Sequence, residues 1–160
     1  MILEQNVIDK LLDQLKKDQI KRVVVGAVIF NQNLEVLLVR RASTEKFMAG
    51  IWEIPSGKVA RRENILDGLA RETEEETGLT LASIDAYLGF FDYNSNSGTP
   101  TRQLNFLVST DHFDVKIEPK EHDLFMWAAC DNSKKLENLK ITASPDILKA
   151  KKILSLKSKI

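Results

Sequence analysis

The 160-residue sequence has a single cysteine, Cys130, and no excess of charge of either sign. One cysteine cannot form a disulfide within the chain, which suits a reducing compartment. Lysine plus arginine and aspartate plus glutamate number 23 each, so no overall electric field draws the protein to nucleic acid. We therefore expect a cytoplasmic protein without a nucleic-acid partner.

Long apolar runs are also absent from the sequence. No stretch approaches the roughly 20 apolar residues that a membrane-spanning helix needs. The opening MILEQNVIDK lacks the basic and apolar regions of a signal peptide, so we expect no membrane partner. The hydrophobic content of 43% and the charged content of 29% are typical of globular proteins. The chain length predicts one domain, residues 1–160.

The spacing of apolar residues predicts helices at both ends of the chain and strands between them. Residues 1–20 have leucine, isoleucine and valine at helical spacing, which predicts an amphipathic helix packed on the domain. A contact in a homodimer is the alternative for this helix. A closing helix is predicted from Ser144. The segments with strand character are 22–30, 34–39, 51–54, 81–93, 101–110, 113–117 and 125–129.

Turn-forming residues join several of these segments. Asn31-Gln32-Asn33 predicts that the first two strands form a hairpin, and residues 94–100, NSNSGTP, predict an exposed turn between two later strands. Pro55-Ser56-Gly57 is a compact turn before a central helix. The order of the elements predicts an α/β protein in which a mixed β-sheet lies between helices.

Residues 57–79, GKVARRENILDGLARETEEETGL, contain the most informative pattern in the chain. Glu72, Glu75 and Glu76 stand at positions i, i+3 and i+4, so they share a sector of about 100° on a helix. Like charges this close repel one another unless a hard divalent cation such as Mg²⁺ lies among them. The alternative is an ordinary solvated face of a glutamate-rich helix.

The same stretch closely resembles the Nudix box in its spacing of glycine, glutamate and arginine residues. The departure is Thr73, where the box has a larger aliphatic residue. The flanking segment WEIPSGK, residues 52–58, and the later Glu121-His122 with Trp127 are also similar to the family. This resemblance implies the Nudix α/β/α sandwich. The matching positions are Gly57, Glu63, Arg71, Glu72, Glu75, Glu76, Gly78 and Leu79.

The resemblance implies hydrolysis of a nucleoside diphosphate linked to another group. Arg71 would orient a catalytic glutamate, with either Glu72 or Glu121 as the general base. Gly57, Glu63 and Gly78 would support the loop and the helix, and His122 is assigned no role. The implied ligands of Mg²⁺, with Mn²⁺ as a substitute, are the carbonyl of Ser56 and the side chains of Glu72, Glu75, Glu76 and Glu121.

The substrate is less closely defined by the sequence. Arg40, Arg41 and Trp52 are the predicted substrate-binding residues, and their surroundings resemble mutator-type enzymes that convert (d)NTPs or damaged NTPs to monophosphate and pyrophosphate. Residues 142–145 lack the asparagine with which some of that group read oxidised guanine. ADP-ribose, dinucleoside polyphosphates, nucleotide sugars and capped RNA are alternatives, as is a non-catalytic nucleotide sensor. An aromatic residue among Phe90, Phe91, Tyr93 and Phe106 could stack on a nucleobase.

Overall fold

The computed structural model describes residues 3–131 and 133–159. Residues 1, 2, 132 and 160 of the predicted single domain therefore lie outside the described residues. The helices are α1 (Gln5–Lys17), α2 (Ile65–Thr77), α3 (Ser133–Asn138) and α4 (Ser144–Lys157). The strands are β1 (Arg22–Ile29), β2 (Glu35–Arg41), β3 (Trp52–Glu53), β4 (Ser56–Lys58), β5 (Leu81–Asn94), β6 (Pro100–Thr110) and β7 (His122–Ala129).

The strands form two sheets. The first is mixed and has the order β4-β1-β6-β5, with β1 and β6 parallel and the outer pairs antiparallel. The second is antiparallel and has the order β3-β2-β7. The predicted α/β class and the mixed sheet are confirmed, and the structure adds the second sheet.

The predicted hairpin between the first two strands is wrong. The turn at Asn31 forms as expected, since its side-chain Oδ1 accepts hydrogen bonds from the backbone N–H groups of Asn33 and Glu35. However, β1 pairs with β4 and β6, whereas β2 pairs with β3 and β7. Both edges of β1 are thus occupied, and a single bridge, Phe30 to Val36, joins it to β2. Turn residues predict where the chain reverses, but they do not predict which strand pairs with each edge of β1.

Three further segments differ from the sequence-based prediction. Residues 113–117 form no strand, and the Lys116 N–H donates to the carbonyl of Thr77 at the end of α2 instead of to a neighbouring strand. The predicted turn at Ser56 and Gly57 is part of β4, whose backbone groups pair with β1. Helix α3 was not predicted; its six residues are too few for a clear helical periodicity.

Helices cover both faces of the mixed sheet, as predicted. Side chains of β1 and β6 alternate, so Val25 and Phe106 pack with α1 and α2 while Val28 and Leu107 pack with α3 and α4. Helix α1 is attached through Ile8, which is 2% exposed, and this confirms its packing on the domain. The homodimer stays a prediction. None of the helices within residues 3–131 and 133–159 is long and apolar enough to cross a membrane.

Helix α2 has well-formed ends, which fix the position of its glutamates. The Asn64 side chain caps the start of the helix, with Oδ1 accepting a hydrogen bond of 2.8 Å from the Leu66 N–H. Gly78 ends it with φ of 69°, a left-handed conformation that suits glycine. Thr73 is 2% exposed and donates its hydroxyl to the carbonyl of Leu69, which satisfies this polar residue on the buried face.

We predict that Asn64→Ala lowers the free energy of unfolding by about 1 kcal/mol, because a backbone N–H of α2 loses its acceptor. Urea unfolding followed by circular dichroism measures this change. Asn64→Asp is the matched control, since aspartate supplies the same acceptor. Equal stability of the alanine variant and the parent would contradict a capping role.

Candidate active site and metal centre

Carboxylates from α2 and from the loop before β7 meet in one cluster. Glu76 is 4% exposed, and its Oε2 accepts a hydrogen bond of 3.0 Å from the Ser56 N–H. One ligand atom each from Glu76, Glu121 and His122 lie within 4.8 Å of one another. The tertiary structure thus brings together two of the predicted metal-binding glutamates from distant parts of the sequence.

Glu72 reaches the same region by passing over Gly57. A Cβ atom at position 57 would overlap the Glu72 carboxylate, so only glycine leaves this path open. The side chain of Glu72 is 15% exposed, and burial raises the pKa of its carboxyl. The negative charges of Glu75 and Glu121 raise this pKa further, while the hydrogen bond from Arg71 opposes them.

Arg71 connects the glutamates to the preceding loop. Its guanidinium donates two hydrogen bonds to Glu63, of 2.7 and 2.9 Å, and one of 2.8 Å to Glu72. Further bonds reach Glu75 at 3.1 Å and the Lys58 carbonyl at 3.0 Å. A planar guanidinium that binds several oxygen atoms at once fixes their relative positions. This is the arrangement expected of a residue that orients Glu72.

Glu63 is held in its charged form by the same contacts. Hydrogen bonds from Arg71, and then from the backbone N–H of Ala60, lower the pKa of its carboxyl from 4.5 to about 2. Gly68 lies close by, and a Cβ there would stand 3.1 Å from Glu63 Oε2. Glu63 therefore joins the loop after β4 to the middle of α2.

The cluster is suited to a divalent cation. The pKa of Glu76 is raised well above its usual value, first by burial and then by the charges of Glu53 and Glu121. The Ser56 N–H only partly offsets these effects. Oxygen ligands that repel one another are the set that Mg²⁺ binds. Glu75 differs from Glu76, because its side chain is 59% exposed.

Two residues near this cluster were given no role by the sequence analysis. His122 is 1% exposed; its Nε2 lies 3.0 Å from Glu53 Oε1, and its Nδ1 is buried without a hydrogen-bond partner among residues 3–131 and 133–159. Glu53 also lies 3.5 Å from the Arg41 guanidinium. In the sequence, His122 follows Glu121 and Glu53 lies within WEIPSGK, so both stand in segments similar to the family. Neither position indicates that the two side chains are in contact.

A cavity of about 410 Å³ lies beside the carboxylates. Glu53, Ser56 and Gly57 belong to its wall, so the cavity and the acidic cluster share this part of the chain. The rest of the wall is largely apolar and aromatic. It includes Phe47, Met48, Ile51, Trp52, Ile54, Phe91, Tyr93, Ile141 and Ala143.

The predicted substrate-binding residues are placed differently from one another. Arg41 and Trp52 line the cavity, and Arg41 also donates to the Phe47 carbonyl and to Glu45. Arg40 is not among the described residues that line it; two hydrogen bonds of 2.8 and 3.0 Å join its guanidinium to Asp123. The substrate-binding roles of all three residues stay predictions.

The four aromatic residues named as stacking candidates separate into two groups. Phe91 and Tyr93 line the cavity with their ring centroids 6.0 Å apart. Phe106 is fully buried in the core, and Phe90 lies under the guanidinium of Arg102. The alternation of β5 therefore places Phe91 and Tyr93 at the cavity and turns Phe90 to the opposite face of the strand.

The fold and the site together define an α/β domain in which a cluster of carboxylates that could hold a metal ion lies beside an aromatic cavity. The NUDIX domain matches residues 20–156 of the chain. The chain therefore belongs to the NUDIX domain family, as the spacing of residues 57–79 predicted.

Relatives and solved structures agree with this membership. Nudix hydrolase 2 of Arabidopsis thaliana is 40% identical over 78 residues, which are 49% of this chain and 28% of that protein. An 8-oxo-dGTP diphosphatase of Buchnera aphidicola is 28% identical over 112 residues, covering 70% of this chain and 79% of that one. The crystal structure of a MutT protein from Methanosarcina mazei Go1 is 26% identical with a TM-score of 0.67, covering 87% of this chain and 96% of that one. The chain spans less than a third of the Arabidopsis relative.

We predict that Glu63→Gln destabilises the protein at neutral pH and that the loss disappears in acid. The folded-state pKa of Glu63 is about 2, below its usual value of 4.5. Its ionised form therefore stabilises the fold above about pH 4.5, and this contribution is lost as the pH falls towards 2. Thermal unfolding midpoints of parent and variant, measured from neutral pH down to about pH 2, test this prediction.

Glu74→Gln is the control for the Glu63 measurement, since Glu74 is an exposed glutamate of α2, the helix to which Arg71 joins Glu63. Its midpoint should follow the parent at every pH. A Glu63→Gln variant as stable as the parent at neutral pH would show that the ion pair with Arg71 contributes nothing to the fold.

Proposed function

We propose that this protein hydrolyses a nucleoside diphosphate linked to another group, with Mg²⁺ as the cofactor. The observation that supports this proposal is the convergence of Glu72, Glu76 and Glu121 at a place where the chain also lines an aromatic cavity. A cation site serves the diphosphate, and the cavity accommodates the attached base. We also propose that residues 1–160 form a single domain, with α1 as part of it.

The proposed metal ligands are the Ser56 carbonyl and the side chains of Glu72, Glu75, Glu76 and Glu121. When bound, Mg²⁺ or Mn²⁺ neutralises the diphosphate and lowers the pKa of an attacking water. Arg71 positions Glu72 through the hydrogen bond of 2.8 Å, which makes Glu72 the first candidate for the general base. Glu121 is the second candidate. The Ser56 N–H holds Glu76 in place.

The first candidate substrates are (d)NTPs or damaged NTPs, with monophosphate and pyrophosphate as products. Trp52, Phe91 and Tyr93 offer aromatic surfaces on which a base can stack. The relative from Buchnera aphidicola is named an 8-oxo-dGTP diphosphatase. However, the wall segment before α4 contains Thr142 and Ala143 and no asparagine, so oxidised guanine would have to be read by another residue.

We predict that Glu75→Gln lowers turnover by roughly 100-fold or more and leaves the fold intact. The estimate is a lower bound, because residues that only support metal ligands already contribute about 10- to 100-fold. Glu75 is exposed, so its substitution removes a charge without opening the core. Steady-state hydrolysis and circular dichroism measure the two effects.

Glu74→Gln is the matched control for Glu75→Gln, because it removes the same charge from the adjacent exposed residue of α2. Its turnover should equal that of the parent. If Glu75→Gln and Glu74→Gln both keep the parent rate, Glu75 is not a metal ligand.

A phosphate-release screen identifies the substrate and separates the alternatives. We expect hydrolysis of at least one nucleoside triphosphate with Mg²⁺, its loss in excess EDTA and its return with added Mg²⁺ or Mn²⁺. ADP-ribose, dinucleoside polyphosphates and nucleotide sugars complete the panel. Binding without turnover of any compound would favour a nucleotide sensor, and turnover that persists in excess EDTA would refute the metal-dependent mechanism.

A further inference from the structure

Two glycines make room for a buried amide in the centre of the mixed sheet. Gly26 of β1 and Gly89 of β5 are the register partners of Asn105 on β6, which is fully buried. A Cβ at Gly26 would overlap Asn105 Oδ1, and a Cβ at Gly89 would stand 2.6 Å from Asp146 Oδ1. Glycine weakens a strand interior, and here its presence allows polar side chains to lie against the sheet.

These side chains form a chain of hydrogen bonds that leads from α4 to the cavity. Asn105 Nδ2 donates to Asp146 Oδ2 at 2.7 Å, and Gln103 Nε2 donates to Asn105 Oδ1 at 2.9 Å. A carboxylate only accepts hydrogen bonds, so Asn105 must turn its NH₂ group to Asp146 and its oxygen to Gln103. Gln103 must then donate in its turn. Asp146 therefore fixes the orientation of the Gln103 amide, although it is not among the described residues that line the cavity.

Gln103 occupies a central place on the cavity wall. Its register partners are Val24 on one side and Phe91 on the other, and all three line the cavity. Within residues 3–131 and 133–159, the Asn105 bond uses one N–H of its amide and leaves the second N–H and the carbonyl Oε1 uncommitted. Three other polar residues of the wall are less suited than Gln103 to hydrogen-bond a ligand in the cavity. Asp92 accepts two hydrogen bonds from Arg102, Arg41 is bound to Glu45, and Asn94 is exposed.

On the basis of the function proposed above, we propose that Gln103 is the specificity-determining residue for the substrate base. Asn105 and Asp146 are positioning residues that hold its amide in one orientation. An amide presents a donor beside an acceptor, which is the pattern that pairs with the edge of a base. Aromatic stacking accepts every base, so selection among bases depends on such a polar group. A base that leaves the buried amide unpaired is disfavoured.

Hydrolysis of ATP, GTP, CTP and UTP by the full chain tests this proposal. The measured quantity is the selectivity ratio, the highest kcat/KM in the panel divided by the lowest. Gln103→Met keeps the unbranched shape and removes the amide, so the ratio should fall by about tenfold or more. Asp146→Asn should lower the ratio as well, because an amide at position 146 no longer dictates the direction of the Asn105 side chain.

An exchange variant separates orientation from packing. In Asn105→Asp with Asp146→Asn, the carboxylate moves to position 105, accepts from both amides and restores the orientation of Gln103. The double variant should regain the parent ratio. Asp85→Asn is the matched control, since Asp85 is a buried carboxylate of the same sheet that accepts from Ser83 and Ser109 away from the cavity. Loss of folded protein lowers kcat/KM for all four nucleotides equally and leaves the ratio unchanged.

An unchanged ratio in Gln103→Met, or equal kcat/KM for all bases in the parent, would overturn the specificity role and leave the proposed hydrolysis standing. A ratio lost in Asp146→Asn and not regained in the exchange variant would overturn the positioning role. A parent that hydrolyses only other compounds of the wider panel would overturn this inference and leave the proposed hydrolysis standing. A parent that hydrolyses no compound of either panel would overturn the proposed function and, with it, this inference.

Discussion

The repulsion among crowded carboxylates is the constraint on which the rest of the site depends. Glu72 and Glu76 are largely withdrawn from water and lie near Glu121, which raises the pKa of both carboxyl groups. A buried anion is unfavourable unless a positive charge or hydrogen bonds compensate it. Arg71 compensates Glu72 directly, while Glu76 accepts a hydrogen bond from the uncharged Ser56 N–H, which compensates its charge less. A cation bound in the proposed site would offset this unfavourable charge.

The surroundings of α2 maintain this unfavourable arrangement. The Asn64 cap and the left-handed Gly78 fix the ends of the helix, and Arg71 with Glu63 joins its middle to the loop after β4. Gly57 removes the one side chain that would displace Glu72. These contacts are individually modest, but they act on one short helix whose buried face packs on the core. Their combined effect is to hold the acidic groups where the chain meets the cavity.

The proposed sites for the phosphate groups and for the base lie in different parts of the fold. The acidic groups come from α2 and the loop before β7, whereas the cavity wall comes from β1 to β6, the loop after β2 and the segment before α4, and the two regions meet at β4. Membership of the NUDIX domain family therefore specifies the acidic site more closely than the base. The buried chain from Asp146 through Asn105 to Gln103 links the cavity to α4, an element outside the motif.

Local spacing along the chain was enough to predict α1, α2 and α4, three of the four strands of the mixed sheet (β1, β5 and β6) and the glutamate face of α2. It also placed Gly57 and Gly78 at the ends of the motif, because turns and helix ends depend on a few neighbouring residues. Local spacing does not show which strands pair with one another. For this reason, the predicted hairpin of β1 with β2 and the predicted strand at 113–117 are absent from the structure of the described residues. Only the tertiary structure brought Glu121 to Glu76, joined His122 to Glu53 and aligned Gly26 and Gly89 on Asn105. Contacts of this kind depend on which strands fill each sheet edge and on the packing of helices over them, and no short stretch of sequence contains that information.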